Sequence, residues 1–167
     1  MTIAESLLPE FDRETAVTRT LLERLPDGRF DFKPHEKSMT LGRLAEHLAE
    51  LPQWVGSTVG QHELDLSTAT RPEGYVPPAT RAEVLAMLDR TVAEARTALS
   101  GRTDAELLAP WTLKSGGKEV FTMPKVAVLR NFVMNHLVHH RGQMSVYLRM
   151  LDRPIPSIYG PSADEPL

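Results

Sequence analysis

The sequence predicts an all-α fold, a four-helix bundle carrying a small β-hairpin just before its last long helix. Three observations predict it. Apolar residues recur every three or four positions in four separate segments, as they do on helices with one buried face. The connections between these segments are long and rich in Pro and Gly. One stretch alternates around Gly116-Gly117, and two strands cannot form a stable sheet alone, so that hairpin must lie against the helices. A chain of 167 residues, 41% of them hydrophobic, fits a single domain over residues 1–167 with a sizeable core.

The first helix is expected over residues 5–25, with Phe11, Thr15, Thr18, Leu22 and Leu25 on its buried side. Pro9 is tolerable only near its start, so an irregular first turn is expected, and Pro26-Asp27-Gly28 ends it. Ser38 or Thr40 caps the second helix, whose inward stripe is Leu44, His47, Leu51, Val55 and Thr58, with a kink at Pro52. Residues 61–79 form a long connection with Pro72, Gly74, Pro77 and Pro78, of a length that often carries function. Thr80-Arg81-Ala82-Glu83 is a capping box and opens the third helix. Its buried face is either Val84, Leu88, Thr91, Ala95 and Leu99 or Val84, Leu85, Leu88, Val92 and Ala95, and Gly101 ends it. Trp111 to Phe121 reads as the hairpin. Pro124 suits the first turn of the fourth helix, whose stripe is Leu129, Val133, His136, His140, Met144, Tyr147 and Leu151. Arg141, Ser145 and Arg149 then face away, Met134, Met144 and Met150 read as core fillers, and Trp54 and Trp111 as packing residues. A mid-helix Gly142 costs about 1 kcal/mol against Ala, and a close helix approach would compensate it. The tail from Asp152 to Leu167, with four prolines, should be extended.

A net charge of −3 offers no basic footprint for nucleic acid. No apolar run approaches the roughly 18 residues that would span a bilayer, and Glu5, Glu10 and Asp12 stand where a signal peptide carries positive charge, so a cytoplasmic location is expected. With no Cys, the chain has no thiol nucleophile, and His, Asp and Glu are its metal-ligating types.

The histidines stand out against this background. On a helix, His136 and His140 put their Cβ atoms about 5–6 Å apart on one face, a spacing at which two neutral imidazoles share one metal ion. His47 lies within about 60° of Leu44 and Leu51 and points inward with them. An imidazole on a buried stripe loses water and needs partners for both nitrogens, so each could be a hydrogen-bonded core residue. Three of them on two inward faces point instead to a metal held by His47, His136 and His140 with an open position, as in catalytic zinc sites. Glu50 or His139 could close it as a structural site. His139 is otherwise a flanking acid/base or a surface or interface residue, and Gln143, one turn beyond the pair, could orient a ligand or water. His35 and His62 have no pattern behind them.

Two stretches, Lys33-Pro34-His35-Glu36-Lys37-Ser38-Met39-Thr40-Leu41-Gly42-Arg43-Leu44-Ala45-Glu46-His47 and Asn135-His136-Leu137-Val138-His139-His140-Arg141-Gly142-Gln143, resemble the DinB/YfiT-like family of metal-dependent bacterial proteins. The segment from Pro156 to Glu165, with Tyr159 at its centre, is similar to that family's C-terminal segment. The resemblance covers nearly the whole chain. It implies an up-up-down-down four-helix bundle, often a homodimer, with zinc or nickel on three His, here His47, His136 and His140. Characterised relatives include an isomerase and thiol-dependent S-transferases that use low-molecular-weight thiols such as mycothiol or bacillithiol.

The expected function is therefore that of a metal-dependent enzyme in which a metal-held external thiolate attacks a small electrophile, or in which activated water hydrolyses it. The loop at 61–79, the hairpin at 111–121 and the tail around Tyr159 could wall its pocket. The alternative is a non-catalytic, metal-stabilised dimer serving stress response or small-molecule binding.

Overall fold

The computed structural model describes residues 1–166. Helix α1 spans Ile3–Leu22 and is opened by a reciprocal cap between Thr2 and Glu5. Pro9 lies inside it without breaking it. The expected irregular first turn does not occur, because the carbonyl that loses its partner belongs to Glu5, which is exposed and open to water. The expected kinked second helix is two helices, α2 (Leu41–Glu50), capped by Thr40, and α3 (Gln53–Gly60), parted at Pro52, which has no N–H to continue the ladder. Gly42 is required in α2 by close approach: a Cβ there would sit 2.8 Å from Phe30 Cδ1 and 3.1 Å from the Phe30 carbonyl oxygen.

The connection at 61–79 contains a strand that the sequence pattern does not announce. Strand β1 (Glu63–Asp65) is too short to alternate visibly, and it pairs in parallel with β2 (Pro110–Ser115), which pairs antiparallel with β3 (Lys118–Pro124). The β2–β3 turn has φ of +60° at Gly116 and +76° at Gly117, a primed turn that suits Gly-Gly. The two N–H groups of that turn donate to the Asp65 carboxylate, at 3.0 and 2.6 Å, and Ser67 donates to it as well. These bonds hold β1 to the hairpin.

Helix α4 (Arg81–Leu99) buries Val84, Leu88, Thr91, Ala95 and Leu99, the first of the two faces considered, and leaves Leu85 and Val92 half-buried. A short helix α5 (Asp104–Leu108) follows, with a capping box between Thr103 and Glu106. The predicted fourth helix is compound. It comprises α6 (Lys125–Val128), a π-helical segment (Leu129–Met134) and α7 (Asn135–Met150), and at the junction the Asn135 N–H donates to Arg130, five residues back.

The expected stripe is buried at Leu129, Val133, His140, Met144 and Tyr147, but the buried side is wider than expected: Leu137, Arg141 and Leu148 also point into the core, while His136 is only half-buried on its flank. Arg141 was expected to face away; it is buried because Glu14 of α1 meets it, Nη2 to Oε2 at 2.5 Å, and the Glu14 carbonyl accepts from Nη1 at 2.8 Å. Tyr159 of the tail donates to the same Glu14 carboxylate at 2.5 Å. No close helix approach explains Gly142, since a Cβ there would meet nothing within 4 Å, and Met150 is exposed rather than a core filler.

Helix α1 packs on α4 and α7, and α2 packs on the same two helices. Their apolar faces make one core, and a smaller cluster of Trp111, Leu113 and Val128 lies beneath the sheet, covered by Phe121 and Phe132. The tail after Asp152 has no helix or strand through residue 166.

Arg141→Ala should lower unfolding stability by about 3 kcal/mol in urea titration, because it strands the buried Glu14 carboxylate; replacing both partners by apolar residues should cost less. The hydrogen bonds from Ser67 and from the Gly116-Gly117 turn hold the Asp65 carboxyl down at about 2, below its ordinary 3.8. This stabilisation is full above the ordinary value and is lost as pH falls toward 2. Asp65→Asn should remove that acid-limb dependence in thermal melts between pH 4 and pH 2.

Candidate metal centre

The histidine pair sits on the first turns of α7, immediately after the π-helical segment, and His47 sits two turns into α2, which packs against α7. One ring nitrogen from each of His47, His136 and His140 lies within 4.8 Å of the others, close enough for all three to bind one ion. The nitrogens that meet are the Nε2 atoms, 2.8 Å apart between His136 and His140 and 3.3 Å between His47 and His136. Metal–imidazole bonds of about 2.0–2.1 Å at near-tetrahedral to right angles put donor nitrogens at about these separations.

The outward nitrogens fix how the rings are used. His47 Nδ1 meets Glu50 Oε1 at 2.9 Å, and His140 Nδ1 meets Gln143 Oε1 at 2.7 Å. Both partners are acceptors, so both Nδ1 atoms carry the proton and both Nε2 atoms present a lone pair. The backbone of Phe132, in the π-helical segment, lies beside the His136 ring and favours its protonated form. In this way a carboxylate and an amide hold the far sides of two of the rings, the support that metal-ligating imidazoles generally have. Among the described residues, this donor set fits a divalent ion that accepts neutral imidazole.

Protonation is disfavoured at the pair. Burial pushes His140 down to about 4, opposed by its bond to Gln143 and reinforced by the neighbouring His47 and His136. Burial and His47 also push His136 below the usual imidazole range. Glu50 is raised by burial, but the bond from His47 and the adjacent Arg43 outweigh this and leave its carboxyl below its ordinary value. It is therefore an ionised acceptor.

Glu50 belongs to a wider network. Arg43 donates to it at 3.0 Å, and Arg71 donates to its other oxygen at 3.1 Å. The neighbouring Glu46 carboxylate, 3% exposed, receives Arg43 at 3.3 Å, Tyr75 at 2.6 Å, and Arg71. Glu50 thus holds the far nitrogen of His47 rather than joining the three Nε2 atoms. The spacing that reveals this role is in the sequence: His47–Glu50 and His140–Gln143 are both i,i+3 pairs on a helix, and such pairs face one another. Arg71 and Tyr75 gave no local signal, because their approach depends on how the loop folds back.

His139 is exposed, and its Nε2 accepts from Gln143 at 3.2 Å, so the Gln143 amide bridges the two adjacent histidines. An open cleft of about 290 Å³ lined by Asn131, Phe132, Asn135, His136 and His139 leads from the surface to the His136 ring. Tyr159 is bonded to Glu14 and Arg141, and the His35 and His62 side chains are exposed.

A mainly helical chain with a small sheet and three convergent imidazoles defines a class of candidate metal-binding helical proteins. The sequence profile of the DinB family matches residues 1–166, and the chain belongs to that family. It is 27% identical over 165 residues to the uncharacterized protein YrdA of Bacillus subtilis (strain 168), covering 96% of this chain and 90% of that one. The crystal structure of a DinB-like protein from Bacillus cereus ATCC 10987 superposes with a TM-score of 0.72 at 26% identity, covering 95% of this chain and 98% of the other. The DinB-like protein YjoA of Bacillus subtilis shares the fold, with a TM-score of 0.69, at 18% identity and coverage of 90% and 96%. No described helix is long and apolar enough to cross a membrane.

In the metal-free protein, the His140 ring should stay neutral until near pH 4, and His136 should also titrate below the ordinary imidazole value, as read from ring-proton NMR shifts. Because the folded chain resists these protons while the unfolded chain takes them up, stability of the metal-free form should fall as pH drops from about 6.5 toward 4.

Proposed function

We propose that this protein is a divalent-metal enzyme in which His47, His136 and His140 hold zinc or nickel and an external low-molecular-weight thiol is transferred to a small electrophile. The observation that carries the proposal is the convergence of the three Nε2 atoms, with the Nδ1 sides of His47 and His140 each held by a separate acceptor. A divalent ion at this site supplies Lewis acidity, which favours the deprotonated form of a thiol or of water near neutral pH. Within this reading, Glu50 and Gln143 keep His47 and His140 in the ligating tautomer, and the cleft bounded by Asn131, Phe132, Asn135 and His139 admits the small molecule. The absence of Cys fits this reading, in which the sulfur arrives from outside. Metal-assisted hydrolysis is the variant in which water takes the thiol's place. His139 and Gln143 are the acid/base and orienting candidates beside the ligands, and Tyr159 acts through Arg141, the residue next to His140.

The same proposal takes the chain as a single domain over 1–167, acting in the cytoplasm as a homodimer. Its helices α1, α2, α4 and α7 form an up-up-down-down four-helix bundle, supported by the contacts of α1 and of α2 with both α4 and α7.

Elemental analysis of untagged protein should find about one divalent ion per chain, and His47→Ala, His136→Ala and His140→Ala should each abolish stoichiometric binding. In cobalt-substituted protein, the d–d spectrum should shift on adding a thiol and stay fixed with its S-methyl analogue. A spectrum that no thiol or electrophile alters would sink the enzyme reading and leave a non-catalytic, metal-stabilised binding protein.

A further inference from the structure

We propose that Arg71 and Tyr75 are positioning residues for the metal centre: by anchoring residues 66–78 onto Glu46 and Glu50, they hold Glu50 against His47 Nδ1, so that ion binding and docking of this segment favour each other. The inference rests on the metal reading given above and adds a part of the chain that does not touch the three imidazoles.

Between residues 66 and 77, every residue is exposed except Tyr75. So little apolar surface cannot hold the segment down by burial, and its attachment is polar. Arg71 spans two carboxylates one helical turn apart on α2, reaching Glu46 Oε1 with Nη1 and Glu50 Oε2 with Nη2, the latter at 3.1 Å. Its guanidinium also lies over the Tyr75 ring, 4.5 Å from the centroid, and the Tyr75 hydroxyl donates to Glu46 at 2.6 Å. Without the segment, the Glu46 carboxylate, 3% exposed in the docked arrangement, would lose Arg71 and Tyr75 and keep only Arg43, at 3.3 Å. Losing two donors leaves Glu46 to compete with Glu50 for Arg43, so undocking the segment would draw that guanidinium toward Glu46.

Arg43 is the guanidinium that Glu50 shares, with both Nη atoms at 3.0 Å from Oε1, the same oxygen that accepts from His47. Pulling Arg43 toward Glu46 disturbs that oxygen. Arg71 prevents this by serving Glu46 itself and by fixing the second oxygen of Glu50, so the first is aimed at His47. Linkage makes the effect reciprocal: what the docked segment contributes to ion binding, the bound ion contributes to docking.

The test uses zinc as probe on the whole chain, with affinity measured by chelator competition and amide hydrogen exchange followed across 66–78 with and without zinc. Wild-type protein should exchange more slowly in this segment when zinc is bound. Arg71→Met should lose about tenfold in zinc affinity, and with it the zinc-dependent protection. Tyr75→Phe should lose less, Glu50→Gln should lose at least as much as Arg71→Met, and Arg96→Met, which removes a surface pair with Asp12, should match wild type. Wild-type affinity in Arg71→Met, or exchange in 66–78 that zinc does not alter in wild type, would overturn the coupling while leaving the three-histidine site standing. Failure of the wild-type protein to bind zinc at all would overturn both.

Discussion

The structure depends on one constraint: three imidazole lone pairs must face one another across the seam between α2 and α7. At an Nε2–Nε2 separation of 2.8 Å, two neutral rings repel unless a proton or a cation lies between them. Low pKa values at the pair make the proton the poorer occupant near neutral pH. The remaining architecture reads as the means of imposing this arrangement. Gly42 lets α2 lie against Phe30, the Arg141–Glu14 pair fixes α7 on α1, and separate acceptors stop the His47 and His140 rings from turning over.

Arg141 illustrates how such a constraint is met at some energetic cost. Taking a guanidinium and a carboxylate out of water is unfavourable in itself, and an apolar pair could stabilise the fold as well or better. What the ionic pair adds is direction. Its bonds to the Glu14 carboxylate, the Glu14 carbonyl and Tyr159 are met together in one rotational setting of α7, and that setting places the adjacent His140 beside His47.

Much of this was legible in the residues. The stripe Phe11, Thr15, Thr18, Leu22 and Leu25 is buried as its spacing predicts, Gly116-Gly117 does form the hairpin turn, and the three histidines found by periodicity are the three that converge. The unread parts share a cause. Strand β1 exists because Asp65 fits the turn of a hairpin some fifty residues later, and the inward direction of Arg141 exists because Glu14 waits on another helix. Neither leaves a mark on local hydrophobic pattern, which treats a charged residue as outward-facing by default. The π-helical segment escaped for a related reason, since periodicity counts assume 3.6 residues per turn throughout.

That segment has a consequence for how the chain tolerates change. The Asn135-to-Arg130 hydrogen bond spans five residues where a regular turn spans four, so one residue of length is absorbed between Leu129 and Met134. Deleting one residue there would leave the heading unchanged, whereas regularising those turns at constant length would release the absorbed residue and swing everything downstream by about 100° about the helix axis. The histidines would keep their spacing yet aim at a different neighbour. The heading of the pair is thus written one turn upstream of it, where a return to regular turns would blind the centre without touching a single ligand.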